Sequence, residues 1–282
     1  MLVRHQKFWN DFKEDWSQEF YNLIKENDKI RWRWRSLSAN PNFTFSFIEK
    51  NLFQDGFHWN INGIAERDDV PTEFIRKYMY KWSYSFSMCK NLNLDLLLDF
   101  PDENWRYDYL SYNQHIDIEY ISNFIDKGWD WQQLSLNANI SINDIKDNID
   151  YPWYWLALSS NKNIKFQDIL NNLDLNWHWF SISGREFVNM DLLLKYPSLP
   201  WDWSGLSKNK NIKLIDIENH PEMPWDIEYL SSNTNLTINF VKKHLDWDWD
   251  WEYISSNNNI QMIDVRQNPD FDWCDYYLTW NT

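Results

Sequence analysis

Pro200-Trp201-Asp202-Trp203-Ser204-Gly205-Leu206-Ser207-Lys208-Asn209-Lys210-Asn211-Ile212 is one copy of a pattern that runs through most of a 282-residue chain. The apolar residue before the Ser falls at Leu37, Ile64, Phe86, Leu110, Leu134, Leu158, Ile182, Leu206, Leu230, Ile254 and Leu278, at intervals of 27, 22 and then eight of 24. Fixed spacing of this kind is the mark of a repeat array, in which each unit buries its apolar face against its neighbours. Eleven units result, the last truncated. The Ser column is interrupted only by Ala65 and Thr279, and an Asn column follows it at Asn40, Asn113, Asn137, Asn161, Asn209, Asn233, Asn257 and Asn281. Sixteen of the 21 Trp fall in two columns of the repeat, so Trp here reads as a packing residue rather than a ligand cage.

One unit predicts two short helices. Asp202 suits an N-cap, since its carboxylate can accept from the free amides of the first turn. Trp201 and Leu206 then sit at the N′ and N4 positions of a hydrophobic staple. Asp130, Asp226 and Asp250 repeat the arrangement, and the Asn two residues after the Ser suits the helix end. In the second half, Ser141, Thr237, Asp117 and Thr44 predict caps, with Ile140/Ile145, Leu236/Val241, Ile116/Ile121 and Phe43/Ile48 as staples. Lys165, Lys213 and Gln261 in that cap column do not fit. Pro152, Pro200 and Pro224, directly before the next Trp, block helical continuation. Helices of about two turns are marginal alone, so stability has to come from stacking.

The expected fold is therefore all-α: an α-solenoid of about eleven 24-residue two-helix repeats over residues 31–282, with an amphipathic capping helix in residues 1–30. In that first segment Phe8, Phe12, Trp16, Phe20 and Leu23 recur at helical spacing. The rival is a leucine-rich-repeat-like horseshoe, whose repeat length and Asn ladder are similar. It requires a strand with alternating apolar residues before the Asn, where this chain has Leu-Ser-x-Asn and a second Trp three residues upstream. Large aromatics compensate for helices too short to carry a broad apolar stripe, each burying on the order of 150–250 Å². The Ser column reads as allowing close helix approach, and as a nucleophile it lacks any His at a repeated offset.

Composition narrows function mainly by exclusion. The chain has 19% aromatic residues, which argues against disorder, and no apolar run of about 18 residues to span a membrane. Two Cys, Cys89 and Cys274, make no disulfide framework, and no signal-peptide pattern follows Met1, so an intracellular, non-secreted protein is expected. Net charge is −15: residues 1–91 hold 14 Lys+Arg against 12 Asp+Glu, and residues 92–282 hold 13 against 30. So acidic a surface repels nucleic acid. The one basic, aromatic alternation is Arg31-Trp32-Arg33-Trp34-Arg35, a composition also found in single-strand binders and here read as a solvated basic face beside two core Trp.

No phosphate loop, zinc spacing or metalloprotease motif occurs, and five Gly leave little room for phosphate cradles, so neither enzyme activity nor a cofactor or metal is expected. Asp246, Asp248 and Asp250 resemble half a calcium loop but lack its Gly and distal Glu, which leaves a linker plus N-cap. The two positions after the second Trp host charge, Gly and Tyr alike, which predicts an exposed column. Tyr109, Phe180, Tyr229 and Tyr253 in it are candidates for partner recognition, where aromatics are enriched. Arg185 and Phe187 join them, because they stand where the repeat calls for Asn, and Trp280 does so at the open C-terminal end.

The Pro-Trp-Asp-Trp-x-x-Leu-Ser-x-Asn-x-Asn-Ile string at 200–212, with the capped Asp-Ile segment after it, resembles the Trp- and Asn-rich tandem repeats of uncharacterised proteins of giant nucleocytoplasmic DNA viruses. The resemblance covers residues 31–282. It implies a helical array acting in a host's cytoplasm or in a viral factory, and it carries no catalytic residue. Two functions are expected from these readings: a non-enzymatic interaction or scaffold protein whose acidic surface favours basic protein partners, or a structural component of a virion or replication compartment that self-associates through its C-terminal face.

Overall fold

The computed structural model describes residues 2–27, 29–55 and 57–278, with side chains from Phe12 onward. The described residues form 21 helices and no strand, which removes the horseshoe alternative. The chain divides into two compact bodies, Met1–Trp153 and Tyr154–Thr282. In the C-terminal body the helices alternate along each repeat: Trp155–Ser160 with Phe166–Leu170, Trp179–Ser183 with Met190–Lys195, Trp203–Lys208 with Leu214–Asn219, Ile227–Ser231 with Ile238–Lys243, and Trp251–Ser256 with Met262–Gln267. The first helices of successive repeats pack on each other. This is the α-solenoid arrangement of stacked helix pairs. At five to six residues these helices are shorter than the two turns expected.

Three apolar columns form the core. Leu110, Leu134, Leu158, Ile182, Leu206, Leu230 and Ile254 are fully buried. So are Ile116, Ile140, Ile164, Val188, Ile212 and Leu236 after the second Asn, and Ile121, Ile145, Ile169, Ile217 and Val241 on the second helix. The predicted caps form: Asp202 accepts from the Gly205 N–H at 2.8 Å, Asp250 from Tyr253 at 2.9 Å and Thr44 from Phe47 at 3.1 Å. Where Lys165, Lys213 and Gln261 cannot cap, the bond runs the other way. Asp168, Asp216 and Asp264 each accept the backbone N–H of that residue at 2.8 Å, the reciprocal half of a capping box.

Polar columns tie repeat to repeat. From Trp105 onward each first-column indole N–H donates to the carbonyl five residues upstream, at the end of the preceding helix, as in Trp177 to Asn172, Trp201 to Tyr196, Trp225 to His220 and Trp249 to His244, at 2.7–2.9 Å; the Trp32 and Trp59 indoles have no such partner. The column holding His220 and His244 is thus a helix-end column. The first-column Trp rings meet the second-column Trp of the preceding repeat edge-on: Trp155–Trp177, Trp179–Trp201, Trp203–Trp225 and Trp251–Trp273 have centroids 5.3–5.6 Å apart. The Asn column is a ladder. Asn233 donates to the carbonyls of Ser207 and Asn209 in the repeat before it, and its own oxygen accepts from the Asn235 N–H. Asn257 repeats this on Ser231 and Asn233.

The Ser hydroxyls do more than permit close approach. Ser183, Ser207, Ser231 and Ser255 accept the backbone N–H of Asp202, Asp226, Asp250 and Cys274, each nineteen residues on, at 2.9–3.0 Å. Ser87 and Ser111 do the same for Arg106 and Asp130. Ala65, which has no hydroxyl, is followed by the unexpected long helix Thr72–Phe86, in which two helices run together across a kink at Trp82. Trp82 occupies the N-cap column there, so no separate helix start needs an acceptor.

The N-terminal helix spans Leu2–Glu26 and covers the first repeat. Trp16 and Phe20 meet Phe43, Tyr21 stacks on Phe57 at 4.8 Å, and the Thr44 hydroxyl donates to Glu14 at 2.6 Å.

Candidate functional site

The column preceding the buried Leu was expected to be exposed, and it is so only in part. Ala157 and Gly205 are buried, and Gly205 sits where successive first helices touch. A Cβ on Gly205 would lie 2.6 Å from the Phe180 carbonyl oxygen, so this position has to stay small. Tyr229, one repeat further on, turns its ring edge-on to Phe180 at 5.6 Å. Phe180 lines a shallow cavity of about 350 Å³ with Gly205, Lys208 and Thr234, where Lys210 pairs with Glu186 at 3.0 Å.

Arg185 takes over the ladder in its repeat. Its guanidinium donates to the carbonyls of Asn161 and Ile164 at 2.9 and 2.8 Å, as the ladder Asn does elsewhere, and it lies 4.7 Å from the Phe187 ring. Burial pushes its pKa below the ordinary guanidinium value. Phe187 is half-buried against Phe166 at 5.4 Å. The departure from Asn thus preserves the inter-repeat bonds by other means, and it directs the Arg185 donors inward.

Tyr109 and Tyr253 are exposed, but their surroundings differ. Arg106 lies 4.4 Å over the Tyr109 ring and 4.9 Å over Tyr84. Its Nε donates to Asp108 at 2.6 Å, and that bond raises the Arg106 pKa further. Tyr253 lines a cavity of about 200 Å³ with Glu228, Asp250, Glu252, Ser256 and Tyr277. The field of Glu252 raises the Tyr277 hydroxyl pKa, and Tyr276 beside it is two-thirds exposed (67%). Trp280 lies outside the described residues.

The acidic, aromatic grouping around Tyr253 was only half legible in the sequence. Tyr229, Tyr253 and Tyr277 recur at 24 residues with Glu228 and Glu252 before the first two, and Tyr277 was the member missed. Asp250 is the N-cap expected of it, and among the described residues no group of three or more His, Cys, Asp or Glu is placed to hold a metal. No helix among them is long and apolar enough to cross a membrane.

The stacked helix pairs and their inter-repeat ladders place the chain in the class of α-solenoids. Comparison with protein-family models, with curated proteins and with solved structures gives no match.

Proposed function

We propose that the chain is a non-enzymatic interaction or scaffold protein that binds a basic protein partner through the acidic surface of its C-terminal body. The observation that carries this reading is the cavity in which Glu228, Asp250 and Glu252 stand beside the rings of Tyr253 and Tyr277. Carboxylates attract a Lys or Arg side chain, and the tyrosine faces hold its cation and stem. The surplus of 18 acidic over 10 basic residues in 154–282 steers such a partner toward this surface. On the same reading the protein works inside a cell, in the host cytoplasm or a viral factory, as the resemblance to giant-virus repeat proteins implies.

The test is fluorescence anisotropy with a labelled Lys/Arg-rich peptide of roughly a dozen residues. Glu228→Lys with Glu252→Lys is expected to weaken binding about tenfold, and salt to weaken it in the parent, since exposed charges are screened beyond roughly 8 Å at physiological ionic strength. Binding indifferent to both the reversals and salt would sink the proposal.

A further inference from the structure

Of the two glycines in the C-terminal body, packing requires Gly205 but not Gly184. The Gly184 backbone, at φ −83° and ψ −3°, is open to L side chains. A Cβ there would lie 3.6 Å from the Phe180 carbonyl oxygen, an ordinary van der Waals distance. Other repeats fill this position, directly after the buried Ser, with Tyr112, Leu136, Ser160, Lys208, Ser232 and Ser256. What the missing side chain does is widen the hollow beside Phe180. The matching hollow in the N-terminal body, where Tyr112, Gln133 and Leu136 stand in place of Gly184, Gly205 and Lys208, holds about 240 Å³ against about 350 Å³ here.

This hollow adjoins the acidic surface. The Phe180 ring meets Tyr229 edge-on at 5.6 Å, and the residue before Tyr229 is Glu228, which lines the Tyr253 cavity. Helices Trp179–Ser183, Trp203–Lys208, Ile227–Ser231 and Trp251–Ser256 pack in succession, so one row of first helices within one body carries both hollows. Their charges are opposed. Glu228, Asp250 and Glu252 surround one. At the other, Lys210 is neutralised by Glu186 at 3.0 Å, and Lys208 is exposed on the rim. A Lys or Arg side chain is therefore drawn to the first and turned away from the second, which the Phe180 ring and the Lys208 stem leave to an apolar group.

We infer that the basic partner carries a large aromatic side chain beside its cationic cluster, and that this side chain anchors in the hollow between Phe180 and Lys208. The inference rests on the acidic-surface reading above and names the other half of the segment bound there. The Phe180 ring offers an edge or face for aromatic pairing. Buried aromatic anchors of this kind carry much of the energy of an interface, while the charged rim steers and orients. The two hollows lie two to three helix spacings apart, about 16–30 Å at roughly 8–10 Å each. An extended chain covers that in about five to nine residues at roughly 3.3 Å per residue. The occupant is thus an extended segment with Lys/Arg at one end and an aromatic residue at the other.

The experiment is anisotropy on the full-length chain with labelled peptides that carry a Lys/Arg cluster and, about seven positions away, either Trp or Ser. Both orders are made, because an extended segment can run either way along the helix row. In one order the Trp peptide is expected to bind about tenfold more tightly than its Ser counterpart, the range of a buried aromatic anchor. Gly184→Tyr and Gly184→Leu, which supply the side chains found at Tyr112 and Leu136, should erase that preference and leave the Ser peptide unchanged. Gly184→Ser, the residue of three other repeats, should keep it. Glu228→Lys with Glu252→Lys should weaken both peptides alike. Salt-sensitive binding that is equal for Trp and Ser in both orders, or a Trp preference that survives both filling variants, overturns the anchor and leaves the acidic-surface reading standing. Binding by neither peptide overturns both.

Discussion

The Ser207 hydroxyl accepts the backbone N–H of Asp226 at 2.9 Å, while Asp226 caps its own helix through the Tyr229 N–H at 3.2 Å. One residue therefore ends its bond to the preceding repeat and begins the next helix. Ser207 is fully buried, so its oxygen has no water to replace it. Ser207→Ala strands the Asp226 N–H and should cost about 1–3 kcal/mol. Urea denaturation of Ser207→Ala beside Ser256→Ala, an exposed hydroxyl that bonds only its own helix at Tyr253, checks this. Equal midpoints for the two variants would show that the hydroxyl has no inter-repeat role.

Gly205→Ala sets helix propensity against packing. Ala gains up to about 1 kcal/mol in a helix. The added methyl, however, lands 2.6 Å from a backbone oxygen and 3.0 Å from the Ser183 Cβ, neither on a flexible side chain. Overpacking of this kind costs about 1–3 kcal/mol, so a net loss of stability is expected. Gly128→Ala, where nothing stands within 4 Å of the new Cβ, should be neutral or stabilising. Thermal melts that rank the two variants the other way would reject the close-approach account.

Arg185→Ala removes the donors that meet the Asn161 and Ile164 carbonyls, and it should destabilise the C-terminal body by about 1–3 kcal/mol. Arg185→Asn restores the residue that the repeat uses elsewhere and should recover at least half of that loss. If Asn rescues nothing, the guanidinium stabilises through its stacking on Phe187 and not through the ladder.

The two thiols should differ in reactivity. Cys89 is 3% exposed, and burial pushes its thiol pKa up to about 12, so at pH 8 it is protonated and enclosed. Cys274 is only half-buried. With Ellman's reagent one thiol should react promptly and the second only in denaturant, and Cys274→Ser should abolish the prompt phase. A prompt phase surviving in Cys274→Ser would mean that Cys89 is accessible in the folded chain.

Residues whose partners lie close in the chain were readable in advance. The caps at Asp202, Asp226 and Asp250 bond three residues ahead. The candidate sites fared differently. Tyr109 and Tyr253 were read as exposed and are exposed. Phe180 and Tyr229 are turned toward each other, and Arg185 faces backbone carbonyls, because stacking decides which side chain of a variable column has room outside. The fused helix Thr72–Phe86 escaped notice because its capping signal is absent at Trp82, where the chain kinks instead.

The sequence by itself determined the helical repeat, since 24-residue spacing, caps and staples are set by interactions within a few residues and by the apolar period. Only the tertiary structure decided what the polar columns do. The bonds from Asp226 to Ser207 and from Asn233 to Ser207 join residues 19 and 26 positions apart, whose meeting depends on how far each repeat rotates on the last. The same packing decided that Trp32 and Trp59, which read like any other Trp of their column, hold indole donors without the carbonyl partner found from Trp105 onward.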